Sequence, residues 1–142
     1  MKILHNRTTV LALVLATSLY SPSVWAQSAY SDYLPQIYQQ GDVSFLSGGI
    51  GENETEALRE VKEQYNLRVT SADKNGEYRG DTRIIISDAQ GTVVLDTVSA
   101  GPLLYTNLPN GRYTVDGYSE GQSKRKAVKV VKGKHARVHF SW

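Results

Sequence analysis

His135 and His139, near the carboxyl end of the chain, come closest in type and spacing to a metal-binding or catalytic pair. On a β-strand, residues four apart share a face and lie roughly 13 Å apart, at about 3.3 Å per residue. Because metal–ligand bonds are about 2 Å long, one ion cannot join the two rings. We therefore interpret both histidines as part of a solvent-facing basic row and predict neither a metal site nor a cofactor.

The serines of the chain show no arrangement typical of a nucleophile. None lies in a Gly-x-Ser-x-Gly motif, and the spacing of the sequence places no histidine beside a serine. A serine without a neighbouring base is a weak nucleophile. The sequence therefore predicts no catalytic residues and a protein that is not an enzyme.

A glycine-rich stretch at 48–51 precedes a predicted helix and must be compared with phosphate-binding loops. Its spacing matches neither the P-loop nor the dinucleotide-binding pattern, and no Lys-Ser or Lys-Thr pair follows. The first helical turn carries Glu52, Glu54 and Glu56, which repel phosphate but suit the positive end of a helix dipole. We interpret the stretch as a tight connector into the helix.

Positive charge is concentrated in the segment KRKAVKVVK and in the residues after it. Because residues 1–26 predict an exported protein, nucleic acid is not expected as the partner. An anionic envelope component or an acidic protein is the expected partner of such a surface. Lysines on an edge strand also discourage aggregation, and this solubilising role is favoured over a dedicated binding site. The residues predicted to form a basic binding surface are Lys124, Arg125, Lys126, Lys129 and Arg137.

Tyr118 falls on the exposed side of its predicted strand and could form an aromatic binding surface. Such a surface stacks against sugars or peptides, and Tyr30, Tyr33 and Tyr38 could contribute to it. Roles in the core or in docking an amino-terminal arm remain equally open for these tyrosines.

Residues 1–26 have the features of a secretory signal peptide. Lys2 and Arg7 precede a short apolar run, Thr9 to Tyr20, and small residues at 24 and 26 predict cleavage after Ala26. The remaining 116 residues suit one domain, periplasmic or secreted, that does not span a membrane. There is no cysteine, so no disulfide stabilises the fold.

The elements that position these residues divide the mature chain into three parts. We predict an amino-terminal arm and glycine-rich connector at 27–51, an amphipathic helix at 52–66 and a β-domain at 67–142. The helix places Ala57, Leu58, Val61 and Tyr65 on one stripe.

The β-domain shows about seven short strands with turn signals every 8–12 residues, the pattern of an antiparallel sandwich. Its organising stretch is GPLLYTNLPNGRYTVDGYSEG, where Pro109 and Gly111 mark a turn between two strands. Leu108, Tyr113 and Val115 are expected to anchor the core around this turn. The fold class is therefore mainly β, with one amino-terminal α-helix.

Residues 67–142 resemble the carboxypeptidase regulatory-like domains, which are transthyretin-like or prealbumin-like β-sandwiches. The resemblance rests on the strand and turn IIISDAQG, on the stretch LLYTNLPNGRY and on the last two strands. It implies a seven-stranded Ig-like or prealbumin-like sandwich but no peptidase activity, since the zinc site of those enzymes lies in a separate domain. The whole mature chain also resembles small exported bacterial proteins of unknown role.

The transthyretin-like group includes a hydroxyisourate hydrolase with a carboxyl-terminal Tyr-Arg-Gly-Ser motif. Residues 78–81, Tyr-Arg-Gly-Asp, are similar but lie in mid-chain, so the catalytic roles are not transferred. We expect a non-catalytic exported binding or structural module of the bacterial cell envelope. An accessory subunit or inhibitor of an exported protein is the alternative, and a small transthyretin-like hydrolase is the least favoured.

Overall fold

The computed structural model describes residues 28–142, and the predicted signal peptide lies outside the described residues. These residues form one α-helix, two 3-10 turns at Ser31–Tyr33 and Lys62–Gln64, and nine strands. The helix, α1, is Glu52–Val61. The strands are β1 (Tyr38–Gln40), β2 (Val43–Gly48), β3 (Leu67–Ala72), β4 (Thr82–Ser87), β5 (Val93–Ser99), β6 (Leu103–Asn107), β7 (Gly111–Ser119), β8 (Gln122–Val130) and β9 (Ala136–Ser141).

The strands form two sheets, and the mainly β class is confirmed. The first sheet has the order β1-β2-β6-β3-β9 and the second the order β5-β4-β7-β8. The seven predicted strands correspond to β3 to β9, and the described residues add β1 and β2. The expectation of a wholly antiparallel arrangement is wrong at one place, because β3 and β9 pair in parallel. The connection between them runs through five other strands, and it returns β9 in the same direction as β3.

A shared hydrophobic core lies between the two sheets. Alternate residues of each strand point inward, as the period of two requires. The predicted anchors Leu108, Tyr113 and Val115 are buried, and the Tyr113 hydroxyl donates to the Pro109 carbonyl at 2.7 Å, which ties β7 to the turn before it. The core includes Val43, Phe45, Leu67, Val69, Leu104, Val138 and Phe140 of the first sheet and Ile84, Ile86, Leu95, Tyr113, Val115 and Val130 of the second.

The helix packs on the outer face of the first sheet, where a second apolar cluster forms. Leu58 of α1 and Tyr65 after it contact Leu46 of β2 and Tyr105 of β6. The predicted helix is too long at its carboxyl end, since α1 ends at Val61 and Tyr65 is extended. Asn66 is held outside the helix by the β6–β7 turn: its side chain donates to the Leu108 carbonyl at 2.7 Å and accepts from the Leu108 N–H at 2.9 Å.

The segment predicted as an arm and connector contains a core strand, which corrects the boundary at residue 51. Val43 and Phe45 of β2 enter the core between the sheets, while Leu46 points the other way, under the helix. A strand covered on both faces lacks the apolar–polar alternation by which strands are recognised. The sequence VSFLSG therefore shows only a short apolar piece before the glycine cluster.

We predict that Leu46→Ala lowers the free energy of unfolding by about 2–5 kcal/mol, because it empties a fully buried site between β2 and α1. The matched control is Ile50→Ala, which removes a side chain of the same size that is 77% exposed. Urea unfolding followed by circular dichroism measures both. Equal effects of the two substitutions would mean that β2 is not part of the core.

Candidate functional site

The outer face of the second sheet carries an alternating set of polar and charged side chains. Tyr113 and Val115 of β7 point into the core, so the residues that alternate with them along the strand point outward. Antiparallel pairing aligns this row with the outward residues of β8, since paired residues share a face. The outward pairs are Arg112 with Lys129, Thr114 with Ala127, Asp116 with Arg125 and Tyr118 with Ser123.

Two bidentate ion pairs neutralise part of this face. Arg125 donates from Nε and from one terminal nitrogen to the two carboxylate oxygens of Asp116, at 2.6 and 2.9 Å. Arg83 of β4 binds Asp96 of β5 in the same manner, at 2.9 and 2.7 Å. The hydrogen bonds from Arg83 lower the pKa of Asp96. The charges of Arg125 and Arg83 are therefore already matched within the protein.

A groove of about 700 Å³ lies on this face, between the β4–β5 turn and the strands β7 and β8. Its lining includes the small side chains of Ser87, Thr114 and Ala127, and the cations Arg112 and Lys129. Neither the Ser87 hydroxyl nor the Thr114 hydroxyl has a hydrogen-bond partner among residues 28–142. The groove thus combines free hydroxyls with two positive charges.

Asp88 of the β4–β5 turn also lines the groove, but its carboxylate is partly engaged by the turn. One oxygen, Oδ1, accepts from the backbone N–H of Gln90 and of Thr92, each at 2.9 Å. These bonds hold the turn from Asp88 to Gly91 closed and direct Oδ1 at backbone N–H groups.

Arg112 and Lys129 are directly opposite each other in the β7–β8 ladder. Side chains at such paired positions have Cβ atoms about 4.5–5.5 Å apart, and like charges there are unfavourable. Neither residue forms an ion pair with any carboxylate in the described part of the chain. The groove therefore presents two close cations that form no ion pair, although Asp88 and Asp116 also line it, and this arrangement favours an anion between the two cations.

The five residues of the predicted basic surface lie in three places. Arg125 and Lys129 line the groove, while Lys124 and Lys126 alternate with them toward the inner side of β8. The Lys124 ammonium lies 5.7 Å from the centre of the Trp142 ring and donates to the Ser141 carbonyl. Arg137 lies on the first sheet, where its Cα pairs with that of Arg68.

Arg112 is the residue of this groove that sequence reasoning missed. It follows the LPNG turn, and it is separated from Lys129 by 16 residues of chain. The strand alternation could place Arg112 on a solvent face, but only the register of the hairpin brings it opposite Lys129.

Tyr118 is 41% exposed on the outer face of the second sheet, in register with Arg83. The other tyrosines proposed for an aromatic surface lie elsewhere. Tyr38 belongs to β1 of the first sheet and stacks on Phe45 at 5.7 Å, and Tyr33 lies in the 3-10 turn before it. The fold does not join these rings into one surface with Tyr118.

The two histidines are in different surroundings. The His135 ring has Nδ1 2.7 Å from the Tyr65 carbonyl oxygen and Nε2 2.9 Å from a Glu63 carboxylate oxygen. A cavity of about 50 Å³ beside it is also lined by Arg137. His139 is exposed on β9. Within residues 28–142, no group of three potential metal ligands among His, Cys, Asp and Glu comes together.

The glycine-rich loop at 48–51 is occupied by a side chain of the protein itself. The Gly49 N–H donates to the Glu54 carboxylate at 2.6 Å, and the Thr55 hydroxyl donates to the Gly51 carbonyl at 2.8 Å. A β-carbon at Gly48 would overlap the same carboxylate. The carboxylate of Glu54 thus holds the place where a phosphate-binding loop would present its N–H groups to a ligand.

Comparison with protein-family models gives no match for this chain, and none of the curated proteins matches it. In the part of the chain that the structure describes, no helix is long and apolar enough to cross a membrane. Residues 28–142 form a mainly β domain of two sheets with one helix on an outer face.

We predict that Lys129→Glu raises the free energy of unfolding by about 0.2–1 kcal/mol, because it replaces a like-charge cross-strand pair with an ion pair to Arg112. Lys132→Glu makes the same change of charge at an exposed residue outside the groove and serves as the control. Urea unfolding at low ionic strength compares the two. A loss of stability on Lys129→Glu relative to this control would show that the Arg112–Lys129 contact is not repulsive.

Proposed function

We propose that this protein is a non-catalytic, exported binding module of the bacterial cell envelope that holds an anionic envelope component in the groove of the second sheet. The observation that carries the proposal is the apposition of Arg112 and Lys129, neither of which forms an ion pair within residues 28–142. Like charges at a cross-strand pair weaken the hairpin, and an anion bound between them relieves the repulsion. The site is therefore most stable when it is occupied.

The form of the groove supports an acidic glycan unit as the ligand. Its volume of about 700 Å³ lies in the range of small-molecule sites, about 300–1,000 Å³. The free hydroxyls of Ser87 and Thr114 suit the hydroxyl groups of a sugar, while the two cations suit its carboxylate or phosphate. A lipid bilayer offers a flat surface of headgroups, which matches a recess on one sheet less well.

Two features support placement in the envelope and in the carboxypeptidase regulatory-like group. The predicted signal peptide at 1–26 favours export. The turn from Asp88 to Gly91 and the hydrogen bond from the Tyr113 hydroxyl to the Pro109 carbonyl are consistent with the resemblance, since they lie in the stretches IIISDAQG and LLYTNLPNGRY that carry it. In this proposal β3 to β9 form the prealbumin-like, Ig-like sandwich of seven strands, and β1 and β2 extend its first sheet.

The hydrolase remains the least favoured alternative because of the surroundings of His135. Both ring nitrogens are engaged, one by the Tyr65 carbonyl and one by Glu63. A general base needs a free nitrogen within hydrogen-bond reach of its substrate. The small cavity beside Arg137 holds little more than a water molecule or two, at about 50 Å³.

The test is retention of the purified protein on isolated peptidoglycan, compared with vesicles of phosphatidylglycerol. We expect retention on peptidoglycan at low salt and at least a tenfold loss of affinity in the double variant Arg112→Gln, Lys129→Gln, because both groove cations are removed. The matched control is Lys132→Gln, Lys134→Gln, which loses the same charge outside the groove. Sedimentation of bound protein measures all three.

Two results would contradict the proposal. An equal loss of affinity for peptidoglycan in the control variant would show that binding depends on the net charge of the protein and not on the groove. Binding to the vesicles alone would assign the basic residues to a membrane surface instead of a glycan.

A further inference from the structure

The two sheets have four edge strands, which differ in how their free backbone groups are covered. On β5, the Asp96 N–H donates to the Gln40 side chain at 3.0 Å. On β9, the Ser141 carbonyl accepts from Lys124. The edge strand β1 has only three residues. The remaining edge, β8, is nine residues long, the longest of the four.

The β7–β8 turn determines which backbone groups of β8 are free. Glu120 and Gly121 have φ values of 47° and 76°, and they form a two-residue turn between the paired residues Ser119 and Gln122. In such a hairpin the closing pair is hydrogen-bonded, and hydrogen-bonded pairs then alternate with non-bonded ones. The residues whose N–H and C=O groups point away from β7 are therefore Ser123, Arg125, Ala127 and Lys129.

All four of these residues are exposed, and their outward N–H and C=O groups form no hydrogen bond within residues 28–142. An unpaired row of this kind is a template for a further strand. The edge can offer four N–H donors and four C=O acceptors along one line, so an added strand could form up to eight backbone hydrogen bonds.

The charge of this edge excludes some occupants and selects others. Residues 121–142 include seven Lys or Arg and no Asp or Glu. A second copy of the chain pairing through β8 would place cations opposite cations, which is unfavourable. Residues 1–27 contain no Asp or Glu either, so this segment cannot supply the opposite charge. The cations of β8 therefore reject copies of the chain and attract an acidic strand.

We propose that the β8 edge binds an acidic, extended segment of another protein, which joins the second sheet as a fifth strand beside β8. Backbone hydrogen bonds to β8 provide the attachment. Carboxylates on one face of the added strand lie beside Lys129 and beside Arg125, which Asp116 also binds. This interaction uses the free edge of β8 and does not depend on Arg112 or on occupation of the groove.

The probe is a synthetic nine-residue peptide, Thr-Glu-Val-Glu-Val-Glu-Val-Glu-Thr, added to the purified ¹⁵N-labelled protein. We expect saturable binding and at least tenfold slower hydrogen exchange at the outward N–H groups of β8. These belong to Ser123, Arg125, Ala127 and Lys129. A peptide with Lys in place of every Glu should not bind.

The decisive variant is Ala127→Pro, which removes one outward N–H without removing a hydrogen bond to β7. We expect it to weaken binding of the acidic peptide at least tenfold, while Ala127→Val stays within twofold of the original protein. Should Ala127→Pro fail to fold, a peptide N-methylated at the alternate residues whose N–H groups face β8 tests the companion hydrogen bonds, which the β8 carbonyls accept, and it should bind at least tenfold more weakly.

Three outcomes would overturn the proposal. If the N-methylated peptide binds as tightly as the unmethylated one, the acidic peptide is held by charge alone and not by backbone hydrogen bonds. Unchanged exchange at the four β8 amides would place the peptide elsewhere, and self-association that Ala127→Pro abolishes would make a second copy the occupant. Because Arg112→Gln should leave peptide binding within twofold, failure of the groove hypothesis is separable from failure of this one.

Discussion

The register of the β7–β8 hairpin is the constraint on which the surface chemistry of this protein depends. A turn of two residues with positive φ closes the hairpin between Ser119 and Gln122. Because the side-chain period of a strand is two, a slip of one residue would move Arg125 and Lys129 to the inner side. The same register places Asp116 opposite Arg125, and this bidentate pair fixes the middle of the hairpin.

Both faces of the first sheet are covered, wholly or in part, by other elements of the protein. Its inner face shares the main core with the second sheet, and α1 covers part of its outer face through Leu58, Leu46 and Tyr105. The helix also brings Glu54 to the glycine loop, where the carboxylate accepts the Gly49 N–H. Two features that could have suggested chemistry, an acidic helix and a glycine-rich loop, are thus accounted for by their contacts with each other.

The outer face of the second sheet is different, because it carries charge that the described fold only partly neutralises. Arg83 and Arg125 have bidentate carboxylate partners, whereas Arg112 and Lys129 face one another without one. A fold selected only for stability would not keep like charges at a cross-strand pair. Such a conflict between local structure and stability is expected where a surface serves binding. The open edge of β8 adjoins this face, so the two proposed interactions lie on one side of the domain. Both use Lys129, whereas Arg112 belongs to the groove alone and the outward backbone groups of Ser123 and Ala127 belong to the edge alone.

Much of the fold could be predicted from the sequence, because the relevant signals are local. Seven strands follow from alternation and from turn residues such as those at 108–111, and the stripe of Ala57 and Leu58 predicts the helix. The strand β2 could not be recognised, since residues buried on both faces show no alternation. The end of the helix also escaped prediction, because Asn66 bonds to Leu108, more than forty residues away.

For the candidate site, the composition of residues 124–137 is enough to show that positive charge is concentrated there and that acidic residues are absent. Which of these charges lie together depends on the fold. It separates Arg137 onto the other sheet, directs Lys124 toward Trp142, and brings the unpredicted Arg112 opposite Lys129. The physical reason is that composition specifies the number of charges, whereas strand register, a long-range property, specifies their neighbours.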